Sequence, residues 1–187
     1  MRKVVFTTSL SLDGYIEATA GDAGWDFPDE ELHRHFNDLE RECDTLLYGR
    51  RMYELMVAFW PTADQDPLAP PYVVDYARLW QAVPKVVFSS RLEAVEWNSR
   101  LVKTDAPAEV ARLKGQPGKN LGVGGLALAS SLGAAGLIDE YRFYYVPILL
   151  GSGKAAFSQL SQRVTLKLVE THAFRSGTVL LRYVPSS

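Results

Sequence analysis

Only one cysteine, Cys43, and three histidines, His33, His35 and His172, occur in 187 residues. A lone thiol supports neither a disulfide framework within the chain nor a paired-cysteine metal site. Three imidazoles and one thiol make no standard zinc set unless carboxylates join them, so no metal is expected. Charge of one sign is also lacking. Lys and Arg number 20 against 22 Asp and Glu, a net charge of −2. That balance gives no general attraction to nucleic acid. No apolar run reaches the length of a membrane span. The basic start Met1-Arg2-Lys3 leads into a stretch broken by Thr7, Thr8, Ser9 and Asp13, unlike the long apolar region of a secretory signal. The reducing cytoplasm is the expected location, with neither nucleic acid nor membrane as partner.

What is present is ordinary for a folded protein: 47% hydrophobic and 22% charged residues, in a length that suits one domain over 1–187. Strand and helix signals alternate. KVVFTTSLSL reads as a strand ending in small polar residues, followed by a turn at Asp13-Gly14 and a Gly-, Asp- and Pro-rich loop. Leu32, Phe36, Leu39 and Cys43 recur on one face of a helix predicted over 30–43, with Asp29 as its N-cap. TLLYG (45–49) is a buried strand, RRMYELMVAFW opens a helix, and Tyr72–Gln81 is helical. PKVVFSS (84–90) is a strand of the parallel type. A short strand at 101–103, a helix stopped by Gly115, strand NLGV and helix ALASSLGAAG follow. EYRFYYVPILLG reads as one long strand. TLKLVETHAF and GTVLLRYV form a hairpin about Arg175-Ser176-Gly177. The order predicts a three-layer αβα sandwich on a mostly parallel mixed sheet, with an antiparallel C-terminal hairpin.

Gly122, Gly124 and Gly125 crowd the turn between NLGV and the next helix. Gly122-x-Gly124-x-x-Ala127 formally fits a dinucleotide fingerprint. The acids near the required spacing, Asp139 and Glu140, precede the next strand and so fall at its wrong end. The better expectation is a pyrophosphate at a helix N-terminus. Two other strand ends carry matching groups, Gly49-Arg50-Arg51 and Ser89-Ser90-Arg91. Arginine offers phosphate a planar donor fork, and serine adds short hydrogen bonds. Each arginine taken alone is equally well a solvated surface charge. On this reading Gly124→Val blocks a cofactor and leaves the fold largely intact.

The stretches TTSLSLDGYI, LLYGRRMYE, KVVFSSRL, GVGGLALASSL and GLIDEYRFYYVPILLGSGKAAF, in that order, resemble the dihydrofolate reductase superfamily. Within it they are most similar to the reductase-domain branch of riboflavin biosynthesis. The resemblance covers nearly the whole chain and implies NADPH as cofactor. It implies that Gly49, Arg50 and Arg51 lie beside the cofactor phosphates. Ser89, Ser90 and Arg91 then face the adenosine 2′-phosphate, and Gly124 and Gly125, flanked by Val123 and Leu126, meet the pyrophosphate. Ser9, Leu12, Asp13 and Gly14 line the nicotinamide side.

Trp25-x-x-Pro28 resembles the stretch that precedes the substrate-facing helix of folate reductases, which makes Glu30 the matching acid. A helix start enriched in acids explains Asp29, Glu30 and Glu31 equally well. Asp13 or Glu30 is the candidate acid for orienting substrate or relaying a proton. Trp25, Tyr53, Phe59 and Trp60 are candidate walls for a flat substrate, or core aromatics. Arg78 and the loop Gly151–Lys154 are candidates for holding a ribosyl phosphate. The implied activity is hydride transfer from NADPH to a small heterocycle or sugar imine, such as 5-amino-6-(5-phosphoribosylamino)uracil. A dihydrofolate reductase, a non-catalytic NADPH-binding module and a homodimer with a vestigial site stay open. A homodimer contact through YRFYYVPILL and the hairpin is also expected from the resemblance.

Overall fold

The computed structural model describes residues 1–19, 24–156 and 163–186. Residues 20–23 of the Gly- and Asp-rich loop, and Phe157 of the last matching stretch, lie outside them. In chain order the elements are β1 (Val4–Ser11), β2 (Tyr15–Ala18), α1 (Glu30–Arg41), β3 (Cys43–Gly49), α2 (Arg50–Val57) and α3 (Pro71–Ala82). There follow β4 (Lys85–Phe88), β5 (Ser99–Val102), α4 (Ala106–Lys114), β6 (Asn120–Gly124), α5 (Leu126–Ala134) and β7 (Glu140–Val146). Last come β8 (Gly153–Ala155), β9 (Leu166–Ala173) and β10 (Val179–Pro185). Among the described residues no helix is long and apolar enough to cross a membrane.

Eight strands form one sheet in the order β5-β4-β3-β6-β1-β7-β10-β9. Its pairings are parallel from β5 to β7, and β10 runs antiparallel to both neighbours. Successive strand residues point to opposite faces. Leu47, with Val4, Phe6 and Leu121, packs beneath α4 and α5 on Val110 and Leu132. Leu46 and Tyr48 instead join Tyr53 of α2 and Trp80 of α3. Leu32 and Phe36 of α1 cover Tyr144 and Leu180 on that second side. The result is the expected αβα sandwich with its antiparallel hairpin. A separate two-stranded sheet, β2 with β8, was not legible in the sequence.

Several boundaries differ from expectation, and two of the differences have a plain physical cause. Helix α1 starts where predicted, with the Asp29 carboxylate accepting from Leu32 N at 2.9 Å, but it ends at Arg41. Cys43 pairs with Asn120 in the β3–β6 ladder, and Asn120 N donates to Glu42 O at 3.2 Å. The sheet thus takes the backbone that a longer helix needs. Strand β7 stops at Val146 because Pro147 has no N–H for the ladder.

The face of β7 beneath α1 carries charge. Arg142 lies 2.6 Å from Glu140 and 3.0 Å from Glu42, with its side chain 7% exposed and that of Glu140 3%. Arg182 at 3.7 Å and Lys3 at 3.9 Å also face Glu140, so losing Arg142 leaves that carboxylate with weaker, more distant partners. Arg142→Ala is therefore expected to cost about 1.5–3 kcal/mol, the range for lost hydrogen bonds between charged groups, and less than a fully orphaned buried charge would. Urea unfolding measures it, and a loss below about 1 kcal/mol would contradict the buried-pair assignment.

Candidate functional site

Strands β3, β4 and β5 step outward on one side of the sheet, and the chain then returns to place β6 between β3 and β1. Such a reversal opens a crevice outside the carboxyl ends of the strands. In register, Val102, Phe88 and Gly49 lie in one row, with Tyr48 beside Gly124 and Phe6 beside Val123. The ends of β5, β4, β3 and β6 therefore make a terrace. Strand β1 runs on past it, from Thr7 to Ser11, paired with β7 alone. Its other edge borders the space above Gly124-Gly125, which brings in Thr7 and Thr8 beside Ser9. Asp139 and Glu140 sit at the opposite, amino end of β7, so they cannot reach this crevice as ribose acids.

Two helices begin on the terrace. Gly49 caps α2 and Gly125 caps α5, in each case without a side-chain cap and with no acid in the first turn. Their first N–H groups and dipoles are left to attract an anion. Gly125 has φ +96°, a conformation that favours glycine. The Cβ side of Gly124 is not open space, so Gly124→Val does not leave the fold untouched. A Cβ there would lie 2.8 Å from the Tyr48 ring and 3.0 Å from Met52 Cγ, so this glycine lets β6 approach β3 closely. Val123 and Leu126 are 4% and 8% exposed and turn their side chains into the core. Only their backbone can serve a ligand.

The cations divide in an informative way. Arg50 is held by Glu54 at 2.8 Å. Ser89 Oγ accepts from the backbone N of Arg91 and of Leu92, at 3.1 Å each, and so shapes the turn. Ser90 is exposed. Arg51, Arg91 and Lys103 are exposed and have no acidic partner among the described residues. All three stand just past the ends of the adjacent strands β3, β4 and β5. Lys103 was missed in the sequence reading. The strand expected at 101–103 included it, whereas β5 ends at Val102 and leaves Lys103 just past the strand end.

At the far end of the terrace, Leu12 is 55% exposed and Gly14 turns with φ +85°. The Asp13 carboxylate accepts from Ser11 Oγ at 2.7 Å, Leu150 N at 3.1 Å and Gly151 N at 2.7 Å. The Ser11 hydroxyl, followed by these backbone donors, holds Asp13 below the ordinary carboxylate range. A carboxylate so engaged does not donate a proton near neutral pH.

The substrate candidates are dispersed. Glu30 turns outward, 61% exposed and 2.8 Å from Arg34, and gives dihydrofolate chemistry no interior acid. Tyr53 is 6% exposed in the core, and its hydroxyl accepts from Glu96 N at 2.8 Å, so it walls no ligand. Phe59 is 51% exposed and packs edge-on against Trp60, while Trp25 is half-buried. Of the phosphate candidates, Lys154 pairs with Glu17 at 2.9 Å, and Arg78 faces Asp64 at 4.0 Å. The structure adds a polar pair beneath α1. The Tyr144 hydroxyl, opposite Ser9 in register, lies 2.8 Å from His35 Nε2. Burial foremost, then Arg142, lowers the His35 pKa, which favours the neutral imidazole. A concavity of about 740 Å³ opens between α1 and the Phe174-Arg175 turn, and another of about 540 Å³ at the amino ends of the strands. Neither is on the terrace, and strand-end chemistry outweighs hollow size here.

This arrangement is a dihydrofolate reductase-like fold whose carboxyl edge gathers two uncapped helix N-termini and several cations. More narrowly, the chain belongs to the RibD C-terminal domain family, whose model matches residues 2–180. The uncharacterized protein YyaP of Bacillus subtilis (strain 168) is 32% identical over 186 residues, 97% of this chain and 94% of the relative. YwjB of the same strain, also uncharacterized, is 28% identical over 185 residues, 98% of each. Among solved structures, a candidate riboflavin biosynthesis protein of Shewanella sp. PV-4 superposes with a TM-score of 0.75, at 23% identity and full coverage of both chains. Dihydrofolate reductase from Enterococcus faecalis, complexed with NADP(H) and RAB-propyl, gives 0.65 at 15% identity, covering 99% of this chain and 97% of that one. At such identities the two structures show the fold alone.

Proposed function

We propose that the chain is a cytoplasmic NADPH-dependent reductase, one domain over 1–187, that reduces a C=N or C=O carbon of a small heterocycle or sugar imine. The observation that carries this reading is the terrace. Two bare helix N-termini lie along one edge of the sheet with three cations that have no acidic partner among the described residues, which suits a polyanionic dinucleotide. When bound, NADPH supplies the hydride. Within this reading the α2 and α5 N-termini hold the pyrophosphate, and Arg51, Arg91 and Lys103 hold the remaining phosphate. Ser9 and the free edge of β1 orient the nicotinamide. The chain's own contribution is binding and orientation. NADPH is expected to raise the melting temperature, since a ligand of the native state adds to stability. NADPH oxidation is then followed across imines and carbonyls. No thermal shift at millimolar NADPH would refute the reading, and binding without turnover of any substrate would leave a cofactor-binding module.

We further propose a homodimer. Edge strand β9 is exposed along most of its length, with Leu168 46% and Val169 43% exposed. Unprotected edges of this kind invite pairing with a second copy. Light scattering is expected to give twice the chain mass, and Leu168→Lys to give monomer. A parent that is monomeric at all concentrations would exclude it.

A further inference from the structure

The turn after β1 and the loop after β7 are far apart in sequence but fastened together. Asp13 binds Leu150 N and Gly151 N across 137 and 138 positions while holding Ser11 Oγ. Ser11 is fully buried, and its Oγ also accepts from Tyr15 N at 2.9 Å. Leu12 N donates to Ile148 O, and Ala156 N to Gly14 O, both at 2.9 Å. The two loops continue into the β2–β8 ladder. There the Thr19 and Ser152 hydroxyls are 2.8 Å apart, and a Cβ on Gly153 would lie 2.1 Å from Glu17 O. The backbones are thus closely seated along the whole double loop. It carries two large apolar side chains that the core does not use, Leu12 at 55% and Leu149 at 71% exposure. Leu149 directly follows the residue that accepts from Leu12 N.

We propose that Asp13 is a positioning residue: its carboxylate locks the β7–β8 loop onto the β1–β2 turn, so that Leu149 joins Leu12 in an apolar lip over the nicotinamide ring. This rests on the NADPH reading above. The carboxylate acts through geometry, not by moving a proton. A flat ring at the end of β1 meets the lip only if both loops are held. Two charge-assisted backbone bonds hold the second loop, and an uncharged side chain of the same shape replaces them poorly.

The test needs no substrate. NADPH and 2′,5′-ADP share the phosphate end of the dinucleotide, but only NADPH has the nicotinamide. Asp13→Ala, Leu149→Ala and the double variant are titrated with each. Asp13→Ala and Leu149→Ala are each expected to weaken NADPH about fivefold to tenfold while 2′,5′-ADP stays within about twofold of the parent. The double variant is expected to lose little more than either single one, because both act through the same lip. Asp13→Asn, which keeps an acceptor oxygen, is expected to recover part of the loss. Equal weakening of both ligands, unchanged NADPH affinity, or additive losses would each overturn the lip. If neither ligand binds the parent protein, the NADPH reading itself fails, a result separable from all of these.

Discussion

Gly124→Val is expected to lower the melting temperature by several degrees, and not merely to block a ligand. The new Cβ would sit 2.8 Å from two atoms of the Tyr48 ring and 3.0 Å from Met52 Cγ. Tyr48 is 4% exposed and belongs to a buried cluster with Leu46, Tyr53, Trp80 and Val87, so the ring has little room to retreat. Overpacking of this kind costs about 1–3 kcal/mol, and valine adds two methyl groups to the clash. In a domain of this size that is a shift of about 2–12 °C. Calorimetry decides it. A variant that melts with the parent and has lost only NADPH affinity would restore the phosphate-cradle role for this glycine. Gly125 is no cleaner a probe, because a side chain there is strained. It caps α5 with φ +96°, and its Cβ position is 3.3 Å from Met52 Cβ.

Arg91→Ala is expected to weaken NADPH about tenfold or more and NADH hardly at all. A hydrogen bond to a charged group contributes about 1.5–3 kcal/mol, and 1.4 kcal/mol is tenfold in affinity. NADH lacks the 2′-phosphate, so it loses nothing there. The difference is expected to shrink at high salt, because Arg91 is exposed and its field is screened. Lys103→Ala belongs in the same experiment. Its residue follows Val102, which lies opposite Phe88 in the β4–β5 register, so the two cations stand just past the ends of neighbouring strands. Equal losses of NADPH and NADH in Arg91→Ala would remove the 2′-phosphate assignment. Selectivity lost in Lys103→Ala alone would move that assignment to β5.

Much of the scaffold was legible from residue order. Apolar runs ending in serine or glycine marked β3, β4 and β6, and alternation around Gly177 marked the hairpin. Asp29 marked the start of α1 by its own chemistry. Each is a local property: a few neighbouring residues decide how the backbone satisfies its hydrogen bonds and which face is apolar. The three strand ends with their glycines, arginines and serines could be read in the same way.

What periodicity does not contain is the identity of neighbours across the fold. Gly124 looked like an open cradle until β3 placed Tyr48 against it. Tyr53 looked like a substrate wall until packing put its hydroxyl on Glu96. Lys154 and Arg78 looked available until distant chain brought Glu17 and Asp64 to them. Asp13 looked like an acid for catalysis until two backbone N–H groups from beyond residue 149 occupied it. The sequence by itself determined the elements, their order and the chemistry gathered at the carboxyl ends of the strands. Only the tertiary structure decided which of those groups are buried, neutralised or free. Burial and charge pairing depend on distances between residues that the chain keeps far apart until it folds.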